Sequence, residues 1–188
     1  MHATLSDVLY DLVQNAVEAK ATLITLDYLE EGNTLTCCVG DNGCGMTPEE
    51  MNQATDPFYT NGQKHVHRRV GLGLAFAKQL CDTVGGEFHL DSQKYEGTSV
   101  ALVLPRDHVD IPPVGDLPYL FAQVMCLEGD YEMLVYRRLE DSFYRVCRSE
   151  LKESVGSFED AQAFSLVKLY FERLEEEVKE EVYGKNHA

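Results

Sequence analysis

Asp41-Asn42-Gly43-Cys44-Gly45-Met46 follows an alternating apolar run, residues 34–39, and reads as a glycine-rich loop at the end of a strand. A buried carboxylate at such a strand end can accept a hydrogen bond from an exocyclic amine, which selects adenine over guanine, and Asp41 fits that role. Gly43 and Gly45 are read as letting the backbone approach a flat base where a Cβ would collide.

Outward from this loop the chain alternates between helical and strand periods. Residues 4–20 carry an apolar stripe of Leu5, Val8, Leu9, Leu12, Val13, Ala16 and Ala19, with Thr4 and Asp7 placed as a helix start. Asp7, Asp11, Asn15 and Glu18 share another side of that helix. Residues 21–29 and 34–39 read as strands around a turn at 30–33, and Thr47-Pro48 opens a further helix. A polar loop at 57–69 leads to a helix at 70–84, introduced by Gly71-Leu72-Gly73-Leu74 and broken by Gly85-Gly86. Residues 87–92 and 98–104 form a hairpin around Tyr95-Glu96-Gly97.

Four of the six prolines fall in residues 105–118, which marks a domain edge. We therefore divide the chain into residues 1–105 and an extension, 106–188. In the extension, residues 119–127, 131–139 and 142–149 read as short strands and 158–183 as an acidic helix. Phe164, Val167, Phe171, Leu174 and Val178 recur on that helix at three and four. This is the spacing of a homodimer seam or of a helix packed on its own domain, and both readings stand at this point.

The formal net charge of −16 repels phosphate backbones, so nucleic-acid and anionic-membrane binding are not expected. The window between Asp56 and Asp82 contains no acidic residue but carries Lys64, Arg68, Arg69 and Lys78, an island suited to nucleotide phosphates. The six cysteines show no CxxC spacing, no apolar run approaches membrane-spanning length, and no signal peptide is seen. A soluble cytoplasmic protein with reduced thiols is expected.

Chemical roles follow from residue type and place. Asn15 offers an amide oxygen to a magnesium ion, which takes oxygen ligands. Asp11, one turn earlier, could orient a nucleophile near the terminal phosphate. Gly71 and Gly73 open a helix whose first N–H groups can meet phosphate oxygens. Lys64, Arg68 and Arg69 can neutralise charge, and Thr98 brings a hydroxyl to the base or to a bridging water.

With Asp11-Leu12-Val13-Gln14-Asn15-Ala16, Asp41-Asn42-Gly43-Cys44-Gly45-Met46, Gly71-Leu72-Gly73-Leu74-Ala75 and Gly97-Thr98 in this order, residues 4–105 resemble the GHKL ATPase superfamily of gyrase-type topoisomerases, heat-shock chaperones, histidine kinases and mismatch-repair ATPases. Asp56-Pro57-Phe58-Tyr59-Thr60 before the glycine box, then Gly85-Gly86, Gly97-Thr98 and Leu104-Pro105, resemble the histidine-kinase catalytic domain most closely. The resemblance implies the α+β Bergerat fold, a two-layer α/β sandwich with a small C-terminal hairpin and helix added. It implies ATP and Mg²⁺ as cofactors, with contacts from Asn15, Asp41, Gly43, Gly45, Met46, Phe58, Lys64, Arg69, Gly71, Leu72, Gly73, Leu74 and Thr98, the metal at Asn15, and Asp11 as catalytic residue.

Position 11 departs from the family pattern. Hydrolysing members carry Glu there and histidine kinases commonly Asn, whereas this chain has the shorter acid Asp11. None of the six histidines has the setting of a phosphoacceptor in a helical hairpin, so autophosphorylation within the chain is not expected. The expected functions are a kinase or phosphotransferase acting on a separate protein partner, a non-catalytic or slowly hydrolysing ATP-dependent regulatory module, and a dimeric hydrolysing clamp. Residues 106–188 are short for the last.

Overall fold

The computed structural model describes residues 4–56, 72–158 and 161–184, the side chains of Leu72 and Ala161 excepted. Helix α1 (Leu5–Glu18) starts on a capping box: the Thr4 hydroxyl accepts from Asp7 N–H and the Asp7 carboxylate accepts from Thr4 N–H. Strands β1 (Leu23–Glu31) and β2 (Thr34–Asp41) form an antiparallel pair. The short helix α2 (Pro48–Ala54) is capped by Thr47. Helix α3 (Leu72–Val84) ends where Gly85 takes a φ of +67°, and the hairpin β3 (Glu87–Gln93) and β4 (Gly97–Pro105) follows.

The extension contributes α4 (Leu117–Cys126), β5 (Glu132–Leu139), β6 (Ser142–Cys147), α5 (Arg148–Val155) and α6 (Ala161–Tyr183). All six strands join one mixed sheet in the order β3-β4-β2-β1-β5-β6, antiparallel except for β1 with β5. Helices pack on one face, which gives the two-layer α+β sandwich expected from the sequence.

Strand alternation sorts the covered face into rows. Two apolar rows run through Leu90, Val100, Val39, Leu26, Val135 and Val146, and through Phe88, Leu102 and Cys37. Leu5, Val8, Leu9, Leu12, Val13 and Ala16 of α1 bury their stripe in the same core. At the end of the sheet where β1 starts, the row is polar: Ser92, Thr98 and Asp41 lie side by side on β3, β4 and β2. At the other end Tyr28, Arg137 and Tyr144 sit abreast. There Arg137, 1% exposed, donates to Glu175 on α6 at 2.9 Å and to Glu30 on β1 at 2.5 Å, and Tyr144 donates to the same Glu175 oxygen at 2.8 Å. Removing charges from water is costly, and this network, which joins β1, β5, β6 and α6, offsets that cost only because its members satisfy one another.

Two sequence expectations are corrected, and one open alternative is resolved. Residues 119–127 form helix α4 rather than a strand. Asp116 caps it by accepting from Tyr119 N–H at 3.0 Å, Pro118 sits in its first turn, and Leu120, Phe121, Val124 and Met125 are buried. A short run that is apolar on every side carries no period that separates helix from strand. The last strand stops at Cys147, and α5 begins at Arg148. The Arg148 guanidinium turns inward to the carbonyls of Met125, Leu127 and Tyr131 and thereby satisfies the end of α4. The stripe considered as a dimer seam packs on its own chain: Val167 and Phe171 are 0% exposed, and Phe171 lies against Phe121 and Tyr144. That side of α6 is therefore filled and not free for a second copy. The proline-rich stretch is also fastened, with the Pro113 and Val114 carbonyls accepting from Leu5 and Ser6 N–H.

Among the described residues no helix is long and apolar enough to cross a membrane. All six cysteines are unpaired, with Cys37 and Cys81 fully buried and the others half-buried. Burial pushes the Cys37 thiol well above its usual range.

Candidate nucleotide site

The loop after β2 is held by three fasteners. Asn42 uses both ends of its side chain: its oxygen accepts from Thr22 N–H at 2.8 Å and Leu23 N–H at 2.9 Å, and its amide nitrogen donates to the Thr22 hydroxyl. Cys44 N–H donates to the Ala19 carbonyl at 3.0 Å, and Tyr95 N–H donates to the Cys44 carbonyl at 2.8 Å. Met46 N–H donates to Ser92 Oγ at 2.8 Å. The loop is thus tied to the end of α1, the start of β1 and the β3–β4 hairpin.

The glycines of this loop have an internal reason that the sequence reading did not supply. A Cβ at Gly43 would stand 2.8 Å from the Ala19 carbonyl oxygen, and one at Gly45, where φ is +57°, would stand 1.9 Å from that of Gln93. What these two glycines admit is the protein's own backbone.

Asp41 is half-buried at the sheet end. Its Oδ1 accepts from Gly43 N–H at 2.7 Å. Burial raises its pKa, and hydrogen bonds from the backbone N–H groups of Gly43 and Thr98 offset part of that rise. The Thr98 hydroxyl lies 2.9 Å from Ser92 Oγ, which is also 2.9 Å from the Gly97 carbonyl oxygen.

Asp11 and Asn15 stand one turn apart on α1. Asp11 Oδ2 is buried and has no hydrogen-bond partner among the described residues. It lies against the first turn of α3, where a Cβ at Gly73 would come within 2.0 Å of it. Asn15 is half-buried. Among the described residues no group of three His, Cys, Asp or Glu side chains is arranged to hold a metal.

The structure therefore brings Asp41, Gly43, Gly45, Met46 and Thr98 to one sheet end, with Gly73 against Asp11 of α1. Leu74 gives its side chain to the core. Phe58, Lys64, Arg69 and Gly71, with Arg68, lie outside the described residues, and Leu72 is described through its backbone alone. Two residues were missed by the sequence reading: Asn42, inside the glycine loop, and Ser92. The only sequence signal for Ser92 was strand parity, which sets it on the same face as Leu90 and Phe88.

The profile of the family described as "Histidine kinase-, DNA gyrase B-, and HSP90-like ATPase" matches residues 2–108. A sensor-like histidine kinase of Rhizobium meliloti is 31% identical over 104 residues, which are 53% of this chain and 20% of that protein. The sensor histidine kinase WalK of Bacillus subtilis is 29% identical over 107 residues, covering 54% and 18%. The chain thus spans about a fifth of the length of these curated relatives. Among solved structures, the N-terminal domain of a DNA repair protein superposes on 86% of this chain and 58% of its own with a TM-score of 0.55 at 14% identity, a likeness of fold. The catalytic domain of the histidine kinase ThkA is 26% identical, covers 53% and 64%, and gives a TM-score of 0.41.

Proposed function

The chain belongs to the histidine kinase-, DNA gyrase B- and HSP90-like ATPase family, and from that premise we propose that it binds magnesium-ATP and transfers its terminal phosphoryl group to a separate protein partner in the cytoplasm. The observation that carries this reading is the Asp11 carboxylate oxygen, buried without a partner among the described residues beneath the opening of α3. Leaving such an atom unsatisfied costs the fold about 1–3 kcal/mol, which a bound ligand or reacting hydroxyl would offset.

In this reading Asp41 accepts from the adenine amine, and Thr98 holds the same edge directly or through a water. The first turn of α3 turns its N–H groups toward phosphate oxygens. Asn15 would hold Mg²⁺, which when bound spreads the charge of the phosphates. Asp11 accepts the proton of the attacking hydroxyl of the partner, that oxygen takes the phosphoryl group, and ADP leaves. Residues 1–105 form the nucleotide unit and 106–188 the part that meets the partner. The six unpaired thiols are in keeping with a reducing compartment.

Titration calorimetry with magnesium-ATP tests the site. Asn15→Ala is expected to abolish binding, while Asp11→Asn keeps it and loses transfer of label from ATP to any acceptor. Equal ATP affinity in all three proteins would remove the assignment. A second reading, an ATP-dependent regulatory module without turnover, is favoured by the buried Arg137–Glu175 link that ties α6 into the sheet. It requires that ATP change partner affinity, since coupling between sites is reciprocal.

A further inference from the structure

We infer that Ser92 is the positioning residue that makes the site discriminate a 6-aminopurine from a 6-oxopurine nucleotide, by fixing the direction of the Thr98 hydroxyl. The inference rests on the nucleotide reading above and names a residue outside the motifs that led to it.

The argument is one of counting protons. Ser92 Oγ has one hydrogen and two lone pairs. Met46 N–H occupies one lone pair at 2.8 Å. The Gly97 carbonyl oxygen, 2.9 Å away, can only accept, so the Ser92 hydrogen goes there. The remaining contact, 2.9 Å to Thr98 Oγ1, is then satisfied only if Thr98 donates its own hydrogen to the second lone pair of Ser92. Thr98 Oγ1 is left with lone pairs alone.

Its strand neighbour is Asp41, paired with it in the β2–β4 register and lying on the same face. Asp41 Oδ1 accepts from Gly43 N–H, and an ionised carboxylate offers lone pairs only. The row Ser92, Thr98, Asp41 therefore presents a ligand with two adjacent acceptors and no side-chain donor. A 6-amino group matches this edge, whereas a 6-oxo group places its lone pairs against those of the protein. A water bridging to Thr98 must also point a hydrogen at it, which leaves its other hydrogen for an unprotonated ring nitrogen. Adenine N1 has that form, and the protonated N1 of hypoxanthine does not. Without Ser92 the Thr98 hydroxyl is free to rotate and donate, and the edge becomes tolerant.

ATP and inosine triphosphate differ in this 6-substituent and its ring tautomer, so their affinity ratio reads the hydroxyl direction. We would titrate both into the native protein, Ser92→Ala and Ser92→Thr by calorimetry, with circular dichroism to confirm folding. Ser92→Ala is expected to narrow the ratio by about tenfold, the scale of one hydrogen bond. Ser92→Thr, which keeps the hydroxyl, is expected to retain the native ratio. A Ser92→Ala protein that binds both nucleotides more weakly but with the native ratio would overturn the inference and leave the ATP reading standing. A native protein that binds neither nucleotide would remove the reading and the inference with it. Should Ser92→Ala fail to fold, Thr98→Val, which deletes the oriented acceptor, is read in the same way: a narrowed ratio supports the inference and an unchanged one overturns it.

Discussion

Replacing Gly45 with alanine isolates the contribution of the close-packed loop, because a matched control exists in the same chain. Gly45 and Gly32 both adopt left-handed backbone, with φ of +57° and +54°. Alanine at either position carries the same conformational cost, about 1 kcal/mol. The surroundings differ: nothing lies within 4 Å of a Cβ at Gly32, whereas at Gly45 the Gln93 carbonyl oxygen would be 1.9 Å away, about 1.5 Å inside ordinary contact. Gln93 is held opposite Gly97 in the β3–β4 ladder, so the loop has to move. Such a shift breaks the 2.8 Å bonds from Tyr95 N–H to the Cys44 carbonyl and from Met46 N–H to Ser92 Oγ. At about 1 kcal/mol each, Gly45→Ala loses about 2 kcal/mol more than Gly32→Ala. With an m-value of about 2 kcal/mol/M, its urea midpoint falls about 1 M below that of the control. Urea unfolding of the two variants, followed by circular dichroism, measures the difference directly. Losses equal to within about 0.5 kcal/mol would refute the steric argument and leave only the backbone term.

The raised pKa of Asp41 fixes the sign of a pH effect: folding favours its protonated form, so its contribution is most favourable below the ordinary 3.8 and declines as pH rises through the raised folded value. Asp41→Asn should therefore melt above the native protein at pH 7, with the gap closing toward pH 4, and should lose ATP binding. A variant that melts lower at pH 7 would contradict the burial argument. At the opposite end of the sheet, Arg137→Met strands Glu175 and is expected to cost about 3–5 kcal/mol in urea unfolding, with Arg137→Met/Glu175→Leu recovering much of it. A single-variant loss below about 1 kcal/mol would show that the network is not holding α6.

Most of residues 4–105 was legible because their local structure depends on short-range chemistry. Thr4 and Asp7 announce the start of α1, the 3.6-residue stripe gives its buried side, and Gly43, Gly45, Gly73 and Gly97 mark places where no side chain fits. The extension was less legible. Residues 119–127 are apolar on every side because α4 is packed from several directions, and burial of that kind erases periodicity. Arg148, a charged residue, read as part of a short strand, yet its guanidinium is buried on three carbonyls. No local rule indicates where such carbonyls will converge.

By itself the sequence determined the order of the described elements through residue 105 and the family, since caps, glycines and strand parity act over a few positions. Tertiary structure alone decided that β5 pairs parallel with β1 and so carries residues 132–139 into the same sheet, that the stripe of α6 turns inward on Phe121 and Tyr144, and that Ser92 meets Thr98 and Met46. These are contacts between residues far apart in the chain or joined only by strand register. Their energy comes from surfaces that exist only once the strands and helices have come together, so no window of sequence contains them.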